Sequence, residues 1–115
     1  MLQNNITIGV RQLNPHVSVI DIQGELNSFA ENNLIEAFNQ ANKNGVDTIL
    51  FNFSKMDYIN SSGIGLLITL LVRAKRQEKQ FAAIGLNEHT QHIFKLTGLN
   101  QAFPFFPTEA DALKA

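Results

Sequence analysis

A chain of 115 residues with 44% hydrophobic side chains is the size of one compact domain, and it carries enough apolar matter to bury a core, which argues against disorder. A formal net charge of −1 gives no electrostatic footprint for nucleic acid or an anionic membrane surface. The absence of cysteine excludes disulfides, thiolate chemistry and cysteine metal sites.

The longest strongly apolar stretch, Ile64 to Val72, is too short to cross a bilayer. Met1 to Val10 has neither a basic start nor an apolar signal core, so a soluble cytoplasmic protein is expected. Ile6, Ile8 and Val10 alternate with Thr7, Gly9 and Arg11, which predicts a strand with one buried face. After the turn signal Asn14-Pro15-His16 the alternation resumes from Val17 to Gln23. Val17, Val19 and Asp21 fall on one face there, and Ser18, Ile20 and Ile22 on the other. So short a connection implies an antiparallel hairpin, and Gly24 is expected to close the second strand.

A helix follows, capped by Ser28 in a box with Glu31, or by Asn27 instead. Phe29, Leu34, Ile35, Phe38 and Ala41 make its apolar stripe, and Gly45 of Asn44-Gly45 is read as its left-handed terminator. Thr48 to Phe53, apolar and β-branched, reads as a central buried strand parallel to the preceding one. A second helix begins near Ser61-Ser62-Gly63 and ends among Arg73, Lys75, Arg76 and Lys79, cations that suit the negative end of the helix dipole. It is apolar most of the way round and is expected to be largely buried.

Gln80 to Ile84 reads as another strand. Asn87 then caps a helix that ends at Thr97-Gly98 with Ile93, Phe94 and Leu96 inward. Phe103 to Phe106, flanked by Pro104 and Pro107, suits a short edge strand. Thr108 with Asp111 caps a last short helix carrying Ala112 and Leu113. The expectation is one α/β domain over residues 1–115. Its mixed, mostly parallel sheet has about four to five strands, begins with a hairpin and carries about four helices.

Four places in this chain could carry chemistry. Asn60-Ser61-Ser62-Gly63-Ile64-Gly65 lies between a strand and a helix at the carboxyl edge of the sheet, where partners meet open α/β sheets. It has neither P-loop spacing nor the glycine a hydrolase elbow needs, and in the plain reading Ser61 or Ser62 is a helix cap. His89 and His92, three apart on a helix, are a weak metal pattern better read as a helix face, and His16 falls in a turn. The Arg73 to Lys79 cations read as a solvated helix end, with an acidic partner as the other reading. Ala102 to Pro107 reads as edge strand plus core, or as an exposed apolar strip. Asp57 and Glu25 are single carboxylates without a visible partner, and nothing reads as an enzyme.

Three segments carry a family resemblance. Met56-Asp57-Tyr58-Ile59-Asn60-Ser61-Ser62-Gly63-Ile64-Gly65-Leu66-Leu67 resembles the signature of STAS domains, a family that includes the bacterial anti-sigma factor antagonists. Gly24-Glu25-Leu26-Asn27 is similar to the family's turn after the second strand. Ile93 to Leu99 with Phe103 to Phe106 and Glu109 to Leu113 is similar to its C-terminal third, so the resemblance covers nearly the whole chain.

The resemblance implies a regulatory cycle. The unmodified domain binds an anti-sigma factor that is also an ATP-dependent serine kinase. That kinase phosphorylates the first serine of the motif, here Ser61, and the antagonist lets go. A PP2C-type phosphatase resets it. The ATP belongs to the partner, so the chain itself is expected to need no cofactor; no metal is expected from the weak histidine pattern, and at this size the chain is expected to act as a monomer. Partner contact is expected at Glu25, Leu26, Asn27, Ile59, Asn60, Ser61, Ser62, Gly63 and Ile64. The family usually has Asp where this chain has Asn27 and Asn60, which leaves two negative charges fewer near Ser61. Two other functions stay open: a STAS scaffold module that is never phosphorylated, and a nucleotide or anion sensor at the Ser61 helix start.

Overall fold

The computed structural model describes residues 6–114. The reading of Met1 to Asn5 as free of a signal core lies outside the described residues. Strands β1 (Ile6–Asn14) and β2 (Val17–Leu26) form the expected hairpin. A 3-10 turn (Ser28–Ala30) leads into α1 (Glu31–Ala41), followed by β3 (Thr48–Ile59), α2 (Ser61–Arg76) and β4 (Gln80–Ile84). Then come α3 (Glu88–Thr97), α4 (Leu99–Ala102), β5 (Phe105–Phe106) and α5 (Glu109–Lys114). The sheet order is β1-β2-β3-β4-β5, antiparallel only between β1 and β2. The fold class is the one expected, with α4 as one helical turn beyond the expected helices.

The two faces of the sheet are unequal. Helices α1 to α4 all pack on one face, where Leu34, Phe38, Leu67, Leu70, Phe94 and Leu99 join Ile20, Ile22, Ile49, Phe51 and Phe81 in one core. Phe103 sits at its centre, with ring centroids 5.2 Å from both Phe51 and Phe81 and 5.5 Å from Phe94. The other face holds a smaller cluster of Val17, Val19, Leu50 and Ala82, covered in part by Ala112 of α5. Burial on both faces explains why the central strands read as near-continuous apolar runs.

β3 runs six residues beyond the predicted end at Phe53 because its inward residues stop alternating. After Ile49, Phe51 and Phe53 the next buried side chains are Met56 and Ile59, each three positions on. Its register with β2 slips between Asp21 and Gln23 and again between Gly24 and Glu25, each slip inserting one extra residue into β3. Gly24, at φ +98, absorbs the second slip, so it lies inside β2 and does not close it.

Three other expectations are corrected, and of the two caps left open it is Asn27 that serves, accepting from the Phe29 amide at 3.0 Å. The 3-10 turn takes Phe29 out of phase with the α1 stripe and leaves it 63% exposed. Gly45, at φ +90, belongs to a turn after the helix, since α1 ends at Ala41 and Asn42 follows as its cap. Leu96 faces outward on α3, being 73% exposed, while Phe94 is buried. The capping box of Thr108 and Asp111 is present, the hydroxyl accepting from the Asp111 amide at 3.1 Å and donating to its carboxylate at 2.9 Å.

On the second face Arg11 grips Asp21 through Nε at 2.6 Å and Nη2 at 2.9 Å, and Asn52 donates to the same carboxylate at 2.8 Å. The hydrogen bond and charge of Arg11 hold the Asp21 carboxyl below its ordinary range. A depressed folded value stabilises the protein above about pH 4, and that contribution is lost as pH falls through the folded value. Asp21→Asn removes it. Melting temperatures recorded from neutral pH down into the acid range are therefore expected to fall more steeply for the parent than for the variant; parallel curves would refute the linkage.

Candidate functional site

Parallel pairing of β2 and β3 sets Leu26 beside Ile59 and Glu25 beside Tyr58 at one edge of the sheet. The chain leaves both strands through an asparagine. Asn27 caps the 3-10 turn, and Asn60 caps α2 by accepting from the Gly63 amide at 2.9 Å. The Asn60 amide in turn donates to the Leu26 carbonyl at 3.2 Å, which ties the start of α2 to the end of β2. Neither cap needs a negative charge, because a cap works through one side-chain oxygen that amide and carboxylate both offer. That accounts for the fold's tolerance of Asn at both positions.

Gly63 fixes the distance between these elements. A Cβ there would lie 2.3 Å from the Leu26 carbonyl oxygen and 2.9 Å from Cγ1 of Ile59. Both obstacles hold the glycine tightly, the first being backbone and the second part of a buried core side chain. Gly65, two residues on, meets nothing within 4 Å at the same test. One glycine is required by the fold and the other is not.

Asn60 relieves Ser61 and Ser62 of the capping role assigned to them by the plain reading. Both serines are exposed, and neither hydroxyl bonds to a described residue. The Ser61 and Ser62 amides likewise find no acceptor among the described residues, as expected of the first turn of a helix. The first turn of α2 carries no acidic residue, and Arg73, Lys75 and Arg76 occupy the last. Ser61 thus presents a free hydroxyl at the positive end of a helix dipole.

The expected contact residues divide into two groups. Ser61 and Ser62 are exposed, and Glu25, Asn27, Asn60 and Ile64 are half-buried at the same edge. Leu26, Ile59 and Gly63 are inside the core, so they position the edge and present no side-chain surface. The expectation that α2 is largely buried is corrected. Gly63, Leu67, Leu70, Leu71 and Ala74 face the core, whereas Ser61, Gly65, Ile68, Thr69 and Val72 run up an exposed stripe. Ile68 is 42% and Val72 47% exposed, and Tyr58 at the base is 53% exposed. Sequence reasoning placed Gly65 in the edge motif but missed Ile68 and Val72. The signal available was a helix with more apolar residues than one buried face can use.

His89 and His92 are both exposed on α3. Among the described residues no three His, Asp or Glu side chains gather as metal ligands would. No described helix is long and apolar enough to cross a membrane.

Residues 10–112 match the family model of the STAS domain, and the chain belongs to that family. It is 25% identical over 80 residues to an anti-sigma-B factor antagonist of Staphylococcus aureus, covering 70% of this chain and 74% of that protein. It superposes on an anti-sigma factor antagonist from Mycobacterium paratuberculosis with a TM-score of 0.77 at 25% identity, covering 95% of this chain and 92% of that one. Its fold also matches the Bacillus cell fate determinant SpoIIAA in the phosphorylated form, with a TM-score of 0.68 at 20% identity over 94% and 97% of the two chains.

The two glycines predict opposite effects in chemical denaturation. Gly63→Ala forces α2 off β2 and is expected to cost about 1–3 kcal/mol. Gly65→Ala removes a flexible residue from an open helix position and is expected to add up to about 1 kcal/mol. Equal effects would show that the contact at Leu26 does not constrain position 63.

Proposed function

We propose that this chain is a non-catalytic, cytoplasmic anti-sigma factor antagonist. Unmodified, it binds an anti-sigma factor that doubles as a serine kinase; phosphorylated at Ser61, it is released, and a PP2C-type phosphatase returns it to the binding state. The observation that carries this reading is the division of labour at the start of α2. Asn60 does the capping, so the exposed Ser61 hydroxyl can be modified without loss of a helix bond. The relatives named anti-sigma factor antagonists supply the class of partner.

The energetics fit a switch that acts at an interface. A phosphate adds about −1.5 to −2 charges at neutral pH. On Ser61 it meets free amides and the helix dipole, so the domain itself tolerates it. Against a close partner it is a desolvated charge, which is costly unless that partner pairs it. The exposed stripe of Gly65, Ile68 and Val72 rises directly from Ser61 and gives the partner an apolar surface with close backbone approach at Gly65.

A second reading, a STAS interaction module that is never phosphorylated, is favoured by one feature. Asn27 and Asn60 stand where the family usually has Asp, and a kinase that reads those charges would not find them. Nothing comparable favours an anion sensor, since the edge segments Glu25–Asn27 and Ile59–Ile64 contain no Lys or Arg.

Intact mass after incubation with ATP and an extract of the source organism separates the two main readings. The antagonist reading expects one added phosphate on the parent and none on Ser61→Ala, with the melting temperature of the phosphorylated domain nearly unchanged. Failure to gain phosphate, in an extract that modifies a known family member, would move the assignment to the unphosphorylated module. Gly65→Ala is expected to weaken capture of the partner while the fold gains stability; unaltered capture would remove the α2 stripe from the interface.

A further inference from the structure

We propose that α5 is a releasable strap across the second face of the sheet, and that Arg11 is its catch. The strap has only six residues, fewer than an isolated helix needs to persist in water, and none of them is buried. It caps itself through Thr108 and Asp111 and so takes little order from the rest of the fold. Of its side chains Ala112 packs into the Val17, Val19, Leu50 and Ala82 cluster, while Leu113 stays 46% exposed. A cleft of about 210 Å³ remains between Ala112, Leu113 and the strands beneath, so the seal is incomplete.

What holds the strap down at its start is ionic. Nη2 of Arg11 donates to Oε2 of Glu109 at 2.7 Å, joining α5 to β1, although α5 itself packs on β4 and β5 at the opposite side of the sheet. Arg11 is held ready for this contact. Its Nε and Nη2 are engaged by Asp21, and Asp21 is engaged by Asn52 on β3. The Arg11 pairs with Asp21 and Glu109 are the two ion pairs among the described residues, and they share one guanidinium. The catch is therefore rigid on the sheet side and single on the strap side.

The main core lies on the other face and does not depend on α5. Release would leave α1 to α4 seated and would uncover Val17, Val19, Leu50 and Ala82, now at most 7% exposed, as an apolar surface across three strands. This surface is on the face of the sheet opposite α2, so the strap and the Ser61 edge are separate devices.

Native-state hydrogen exchange by NMR on the full chain tests the proposal. The reporters are the amides of Asp111 and Ala112, which bond to Oγ1 and the carbonyl of Thr108, with Phe51 in β3 as the reference for global opening. Asp111 and Ala112 are expected to exchange faster than Phe51 but slower than in a free peptide. Glu109→Gln, which leaves the Arg11 grip on Asp21 intact, should speed them a further two- to fivefold, roughly the worth of an exposed ion pair, and should speed Phe51 by no more than that factor, since both openings start from the same native state. Arg11→Gln should speed Asp111 and Ala112 by the same factor and Phe51 by more, because it also releases Asp21. About 1 M NaCl, where the screening length is about 3 Å, should speed the parent and not Glu109→Gln. Exchange of α5 at the Phe51 rate, at the free-peptide rate, or unaltered by Glu109→Gln would each overturn the proposal.

Discussion

The constraint on which the site depends is the approach of α2 to the end of β2, close enough that position 63 has no room for a side chain. Because Gly63 lies against the Leu26 carbonyl, the helix begins level with the strand ends. The Asn60 amide reaches Leu26, and Ser61 emerges at the sheet edge with its hydroxyl free. A wider separation would leave the Leu26 carbonyl without this donor. Helix start, strand end and candidate modification site are thus one mechanical unit set by a missing Cβ.

Around that unit the molecule separates structural work from surface chemistry. Leu26, Ile59 and Gly63 are buried and set geometry, whereas Ser61, Gly65, Ile68 and Val72 face outward and add little to packing. The helix dipole serves both ends of α2, leaving an anion-tolerant start and a finish matched by Arg73, Lys75 and Arg76. An apolar, glycine-bearing outer stripe on such a helix is a poor use of sequence for solubility and a reasonable one for contact with another protein.

Much of this was legible in the residues. Alternation and the Asn14-Pro15-His16 turn gave the hairpin, the apolar run from Thr48 gave the central strand, and the Asn60 to Gly65 segment was placed at the carboxyl edge of the sheet. What escaped has physical causes. The outward face of α2 is apolar, so periodicity could not tell it from the inward one. Phe29 and Leu96 sit at helical spacing from buried residues, yet a 3-10 turn in one case and solvent on that side of α3 in the other leave them outside. Asn27 competed with Ser28 for a cap that either residue type can fill, and only backbone geometry decides between them.

The two extra residues in β3 have a consequence for how this chain can change. Each slip against β2 restores the inward phase at Met56 and then at Ile59, so the strand delivers Asn60 at a fixed height and rotation relative to Leu26. A deletion of one residue between Phe53 and Ile59 would turn the last inward side chains toward solvent and swing the head of α2 with them. The number of residues in that stretch therefore sets where the edge stands, whatever side chains fill it.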